Sequence, residues 1–234
     1  MSFTQQTNEK KRILESSMKF RAVLFDLDGT LLDTLQDLAD SMNTVLQRLG
    51  FASHPLEAYK YFVGDGMATL VRRTLPEPQR NQEATVAACL ASMKEAYRGR
   101  WMEQTRPYPG IPELLDQLSA RNFKLSVLYN KPDDFTRLMV ERLLPRWHFE
   151  WVFGERPNVA RKPDPGGALE IARRSGVPPE AFAYLGDTAT DMITAKAAGM
   201  YAVGVLWGFR PAGELIANGA DTLIGKPAEL LKLL

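Results

Sequence analysis

Cysteine and histidine are nearly missing from this chain of 234 residues: Cys89 is the single thiol, and His54 and His148 are the only imidazoles. One thiol cannot close an internal disulfide or build a multi-thiolate metal site, and two histidines are too few for a zinc cage. This scarcity points to a reducing compartment, and cytoplasmic localisation is expected. An excess of one charge sign is missing too, since 29 Lys and Arg stand against 28 Asp and Glu, a net charge of +1. No cationic surplus exists for affinity built on counterion release, so no nucleic-acid partner is expected, and no acidic block suggests a solvating tail. Nor does any stretch approach the roughly 18 apolar residues of a membrane span. The first twenty residues carry a basic cluster at Lys10, Lys11 and Arg12 but no apolar signal-peptide core. No membrane partner is expected, and no internal repeat or low-complexity stretch is visible.

What is present suits a packed core, with 45% apolar and 24% charged residues. Ala22 to Phe25, Phe182 to Leu185 and Tyr201 to Trp207 are continuous apolar runs, with weaker relatives at Phe123 to Leu128 and Thr222 to Ile224. Runs apolar on both faces fit strands of a parallel sheet covered by helices. Between them Pro112 to Leu118, Pro132 to Leu144, Pro165 to Arg174, Thr190 to Ala198 and Pro227 to Leu234 read as helices, several with Pro in the first turn. Strand alternating with helix predicts an α/β fold with a doubly wound, parallel-sheet (Rossmann-like) core.

Residues 34–106 break that alternation. They show helical periodicity, as in Leu35, Leu38, Met42, Val45, Leu46 and Leu49, and breaks at Gly50, His54-Pro55, Gly64-Asp65-Gly66 and Pro76-Glu77-Pro78 separate about four helices. The expected organisation is a polar extension at 1–18 that the fold does not need, a core at 19–33 and 107–234, and a small all-helical cap at 34–106. An insert at the ligand-binding end of such a sheet is placed to act as a lid.

Three motifs carry chemistry. In the first, the strand Ala22 to Phe25 runs into Asp26-Leu27-Asp28-Gly29-Thr30: two carboxylates, a glycine for a sharp turn, then a hydroxyl. Buried carboxylates at a strand end are costly without a metal or cationic partner, although Asp-Gly is also a common turn. The second, Leu185-Gly186-Asp187-Thr188-Ala189-Thr190-Asp191, brings two carboxylates to one side if a helix starts near Thr190, and reads equally as a capped helix start. The third, Arg161-Lys162-Pro163-Asp164-Pro165, sets a lysine before a proline-bounded helix, where a surface lysine is the plain alternative.

Taken in chain order the three motifs resemble the haloacid dehalogenase-like hydrolase superfamily, whose pattern is Asp-x-Asp-Gly-Thr, then Ser or Thr, then Lys, then Gly-Asp-x-x-x-Asp. The resemblance covers nearly the whole chain after Met18. Tyr108-Pro109-Gly110-Ile111-Pro112, Asn130-Lys131-Pro132 and Trp207-Gly208-Phe209-Arg210 are similar to its phosphoglycolate phosphatase branch. The resemblance implies a magnesium-dependent phosphatase that hydrolyses a small phosphorylated metabolite through an aspartyl-phosphate, as a monomer or homodimer. It implies Asp26 as nucleophile and Mg²⁺ ligand, and Asp28 as general acid and base with its carbonyl on the metal. Asp187 is implied as a further metal carboxylate, Asp191 as a supporting group, and Lys162 as the catalytic cation. An all-oxygen donor set selects a hard ion. Gly29, Thr30, Tyr129, Asn130 and Lys162 are implied to bind the phosphate, with N–H groups around Leu27 to Gly29 as donors.

The pattern departs at Leu128-Tyr129-Asn130-Lys131, where the family places Ser or Thr at the position of Tyr129. The tyrosine hydroxyl lies several ångströms farther out and would crowd a phosphate in the same direction. Two further readings stay open: a phosphate-binding or regulatory protein with a weakened site, and a phosphomutase of the same superfamily. Substrate choice is expected from Gly64, Asp65, Gly66 and Arg72 (or Arg73) in the cap, against a plain helix break with solvated arginines. Cys89, Met67 and Leu70 read as packed helix, and His54 and His148 as structural. The Trp207-Gly208-Phe209 turn reads equally as flanking the site or as packing.

Overall fold

The structure is a computed structural model that describes residues 20–234. The expectation that residues 1–18 are dispensable lies outside the described residues. Six parallel strands form the sheet: β1 (Ala22–Phe25), β4 (Lys124–Pro132), β5 (Trp151–Glu155), β6 (Phe182–Gly186), β7 (Tyr201–Val205) and β8 (Thr222–Ile224). Their order across the sheet is β5-β4-β1-β6-β7-β8. All four residues of β1 are buried, and it pairs on both sides, Phe25 standing opposite Val127 of β4 and Leu185 of β6. The sequence order reverses at β1, and ligands of such sheets gather beyond the strand C-termini at that reversal.

Helices α6 (Ile111–Ala120), α7 (Asp133–Leu143), α8 (Gly166–Ser175), α9 (Ala189–Ala197) and α10 (Ala212–Ala217) flank the sheet. Each face of β1 serves a different core. Val23 and Phe25 pack in one cluster with Leu114, Leu115 and Val127, while Ala22 and Leu24 join Ile171, Tyr184 and Met192 in another. This two-sided burial is why the strand reads as continuously apolar.

Several elements differ from the periodicity. Strand β5 is an edge strand with only partial burial, and α10 spans six residues; neither gives a clear pattern. Pro227–Lys232 forms a 3₁₀-helix, not an α-helix. Strand β4 runs past Leu128 to Pro132, with a register irregularity against β5 that carries Tyr129, Asn130 and Lys131 into the interior.

Between β1 and α6 lie five helices, not four: α1 (Leu35–Arg48), α2 (Leu56–Phe62), α3 (Met67–Thr74), α4 (Glu77–Arg80) and α5 (Glu83–Arg100). The expected break at Pro76-Glu77-Pro78 is itself one helical turn, with Pro78 at an early position where its missing N–H costs little. These helices enclose a cluster of their own that includes Leu38, Met42, Tyr59, Leu70, Cys89 and Met93, joined by Phe209 from the sheet layer. The strands β2 (Leu32–Asp33) and β3 (Arg106–Pro107) pair antiparallel at the base, so Arg106 belongs to this clasp. Above it the buried Asp37 carboxylate accepts from the Gln104 N–H (3.0 Å), the Thr105 N–H (2.9 Å) and the Thr105 hydroxyl (2.7 Å). Entry and exit of the insert are thereby tied at one point.

Candidate active site

At the C-terminus of β1 the Asp26 N–H still donates to Leu185 O (2.9 Å), so the position of Asp26 is held by the sheet. The chain then folds back at once: Leu31 and Leu32 N–H groups donate to Leu27 O, and Gly29 N–H donates to Leu32 O (2.8 Å). Gly29 has φ +88°, and a Cβ there would lie 2.3 Å from Asp187 Oδ2, so only glycine permits both the turn and the approach of β6's carboxylate. A Cβ on Gly208 would likewise meet Asp187 Cβ at 2.3 Å. The Trp207-Gly208-Phe209 turn flanks the site, with Phe209 N–H donating to Asp187 Oδ2 (2.8 Å) and Trp207 Nε1 to Thr30 O (3.0 Å).

Asp26, Asp187 and Asp191 converge, each offering an oxygen within 4.8 Å of the others, and all three are buried. Lys162, buried at the start of the segment that leads to α8, reaches both sides of this group. Its ammonium donates to Asp26 Oδ1 (2.6 Å) and Asp191 Oδ1 (2.7 Å). Burial alone would lower the Lys162 pKa, but Asp191 and then Asp26 outweigh it and hold it well above the ordinary lysine value. Burial raises the Asp26 carboxyl well above the usual range, against the pull of Lys162 and with help from Asp191 and Asp187. Asp187 is pushed up to about 7, first by burial and then by Asp191. Three buried carboxylates facing one lysine leave negative charge uncompensated, and their oxygens suit a hard divalent cation. Asp191 also closes a capping box, its Oδ2 accepting from Thr188 N–H (3.1 Å) and Thr188 Oγ1 (2.7 Å), so the capped-helix reading and the site reading hold together.

The Asp28 carboxylate points elsewhere. Its Oδ2 accepts a short hydrogen bond from the Tyr129 hydroxyl and one of 2.7 Å from Lys131 Nζ, while Oδ1 is buried with no hydrogen-bond partner. Burial, then Asp28 and Asp26, raise the Tyr129 phenol well above its ordinary value, so it stays a donor. Lys131 Nζ also donates to the Tyr97 hydroxyl of α5 (3.0 Å). Lys131 and Tyr97 are absent from the sequence-based set of site residues. Lys131 adjoins Asn130 in a quoted motif, whereas Tyr97, on the helical insert, leaves no local signal.

Other expected residues have clear places. Asn130 uses both ends of its amide on the Lys162 backbone (3.0 Å each), which fixes Lys162 and commits one of its two amide N–H donors. The Gly29 N–H is likewise occupied by Leu32 O, whereas no acceptor is bonded to the Leu27 and Asp28 N–H groups among the described residues. Thr30 Oγ1 faces Asp187 Oδ1 at 3.4 Å. The Gly64-Asp65-Gly66 loop reaches the sheet layer, where Asp65 Oδ1 accepts from Thr190 Oγ1 (3.0 Å) and Oδ2 pairs with Arg73 (2.5 Å). Arg72 turns instead to Glu83 and Arg80 O within the helical layer. His54 Nε2 bonds Thr74 O (2.8 Å) and His148 is exposed, so neither joins the site.

Residues 23–205 match the family model described as haloacid dehalogenase-like hydrolase. The chain is 34% identical over 217 residues to a phosphoglycolate phosphatase of Chromobacterium violaceum, covering 92% of this chain and 96% of the relative. It is 32% identical over 207 residues to one of Pseudomonas fluorescens, covering 87% and 75%. Among solved structures, a provisionally named phosphoglycolate phosphatase from Lactobacillus delbrueckii subsp. bulgaricus superimposes with TM-score 0.86 at 31% identity, covering 92% of this chain and 98% of that one.

Proposed function

Since the chain belongs to the haloacid dehalogenase-like hydrolase family and is a phosphoric monoester hydrolase, we propose that it cleaves a small phosphomonoester through an aspartyl-phosphate on Asp26. Phosphoglycolate, named in its relatives, is the leading substrate. The observation that carries this reading is the division of the site: Asp26 with its lysine and acidic neighbours on one side, and Asp28 held separately on the other.

In this mechanism Lys162 holds Asp26 Oδ1, which leaves the other carboxylate oxygen to attack phosphorus. As the P–O bond to the leaving group breaks, Asp28 gives its proton to the departing alkoxide. Asp28 then takes a proton from the water that attacks phosphorus and releases phosphate from Asp26. The Leu27 and Asp28 N–H groups and Lys162 balance charge on the phosphoryl oxygens. Mg²⁺ bound by Asp26, Asp187 and the Asp28 carbonyl would neutralise the phosphate further. The helical insert acts as a cap, anchored by Asp65 on Thr190 and by Arg210 Nη2 on Val63 O (2.9 Å), and shields the aspartyl-phosphate from stray water. The protein works in the cytoplasm as a monomer or homodimer.

Asp26→Asn is expected to lower Mg²⁺-dependent hydrolysis by at least 10³-fold, in line with loss of a nucleophile, while circular dichroism and melting stay native-like; undiminished hydrolysis rejects the mechanism. A second reading, phosphate binding without turnover, draws on the Tyr129 contact with the acid and base. It requires that a generic aryl phosphate remain intact with and without Mg²⁺.

A further inference from the structure

Lys131 is buried beside Asp28, yet the mechanism above gives it no task. Three rings lie against its ammonium: Tyr97 of α5 with its centroid at 4.5 Å, Tyr129 of β4 at 5.4 Å and Phe135 of α7 at 5.9 Å. Phe135 packs in turn on Tyr97, the two ring centroids 5.6 Å apart. The Tyr129 ring also lies 5.7 Å from the Lys162 ammonium, so the residue that departs from the family pattern adjoins both lysines. Lys131 and Tyr97 further line a cavity of about 500 Å³ under the helical insert. The ammonium thus sits in an aromatic cage drawn from the insert and from the sheet layer, and attraction to the ring faces offsets part of the cost of burying it.

Direction matters as much as burial. An ammonium carries three N–H donors on a flexible stem. One of them goes to Asp28 Oδ2 (2.7 Å) and one to the Tyr97 hydroxyl oxygen (3.0 Å). Tyr129 donates to the same Oδ2, while Oδ1 of Asp28 is buried with no hydrogen-bond partner. A buried N–H that loses its acceptor pays the full desolvation penalty, so it turns to whatever acceptor is within reach. Without the Tyr97 hydroxyl, the acceptor left open beside Lys131 is Oδ1, the oxygen that must stay free to meet a leaving group.

We propose that Lys131 and Tyr97 are positioning residues for Asp28: the Tyr97 hydroxyl holds the Lys131 ammonium on Oδ2, and Oδ1 is thereby kept open toward the leaving oxygen. The inference rests on the phosphatase reading and adds two residues to it. It is tested by kcat/KM for two esters with Mg²⁺: phosphoglycolate, whose alkoxide takes a proton as it leaves, and 4-nitrophenyl phosphate, whose phenolate leaves without one. This parameter covers the steps up to departure of the alcohol, so the later attack of water does not enter it. Lys131→Met is expected to lower kcat/KM for phosphoglycolate about 100-fold and Tyr97→Phe about tenfold, with 4-nitrophenyl phosphate changed less than about threefold in both. Tyr97→Phe added to Lys131→Met should cost nothing further, because the hydroxyl acts only through the ammonium. Tyr97→Phe removes a single oxygen, and its ratio between the esters decides the matter by itself if Lys131→Met does not fold. Equal losses with the two esters would make the contacts merely structural and overturn the proposal. Additive losses in the double variant, or undiminished phosphoglycolate cleavage in Tyr97→Phe, would overturn it as well. If the wild-type protein cleaves neither ester, the phosphatase reading itself fails and the inference falls with it.

Discussion

Tyr129 and Lys131 both donate to Oδ2 of Asp28, which leaves Oδ1 as the one oxygen free to meet a leaving group or a water. A serine or threonine at position 129, as in the family pattern, would be too short to reach Asp28 and would vacate the volume of a ring between two lysines. Tyr129→Phe keeps the ring and removes only the donor. It is expected to lower kcat about 10- to 100-fold, the size of a lost positioning contact, with KM changed less than threefold; full turnover in this variant would deny the phenol a role. Tyr129→Ser should in addition cost about 3–5 kcal/mol of stability through the void it leaves, read from the urea midpoint. At this scale the motif residues Asp26, Asp28, Lys162, Asp187 and Asp191 are legible because each sits within a few positions of a strand end or helix start. Tyr97 is not, because its contact with Lys131 joins positions 34 apart through the packing of two layers.

The edge strand shows why some elements escape a reading of periodicity. β5 is partly exposed and is held from outside: Arg156, just past its end, and Arg174 of α8 both pair with Glu170, at 2.8 Å and 2.7 Å. The same guanidinium groups lie over Phe153 (3.9 Å) and Trp151 (5.0 Å) of the strand. The hydrogen bond from Arg156, ahead of the charges of Arg156 and Arg174, holds the Glu170 carboxyl below the usual glutamate value in spite of its burial. A carboxyl with a depressed folded-state pKa stabilises the fold above its unfolded value, near 4.5, and that contribution disappears as pH falls through the folded value. Glu170→Gln is therefore expected to cost about 0.5–1 kcal/mol at pH 7, a size typical of partly exposed pairs. The difference should be smaller at about pH 3, below the unfolded value, as the folded carboxyl in turn takes up a proton. Paired urea titrations at the two pH values check this, and an equal cost at both would assign the effect to packing. The strands buried on both faces, by contrast, are legible as apolar runs, and the insert is legible as a long interval of helical spacing.

Across the whole molecule, a net charge of +1 conceals a concentration of like charge at the reversal of the sheet, where β1 and β6 deliver Asp26 and Asp187 and α9 adds Asp191. Strand order and the cavity under the insert arise from how distant segments pack, so no local pattern announces them. The carboxylate cluster is legible, but its cost depends on burial that only the assembled layers create. Uncompensated charge in a buried site lowers stability, and a bound cation recovers it by mass action. Asp187→Asn removes one charge while its amide oxygen can still accept from Phe209 N–H. In the absence of divalent ions this variant should be more stable than the wild-type protein by about 1 kcal/mol, which for a chain of this size raises Tm by about 2–4 °C. Added Mg²⁺ should raise the wild-type Tm and leave the variant's nearly unmoved, and hydrolysis should be lost. A metal-free variant that melts below the wild-type protein would show that Asp187 stabilises the fold through its hydrogen bonds more than its charge opposes it. An equal Mg²⁺ response in both would place the ion elsewhere.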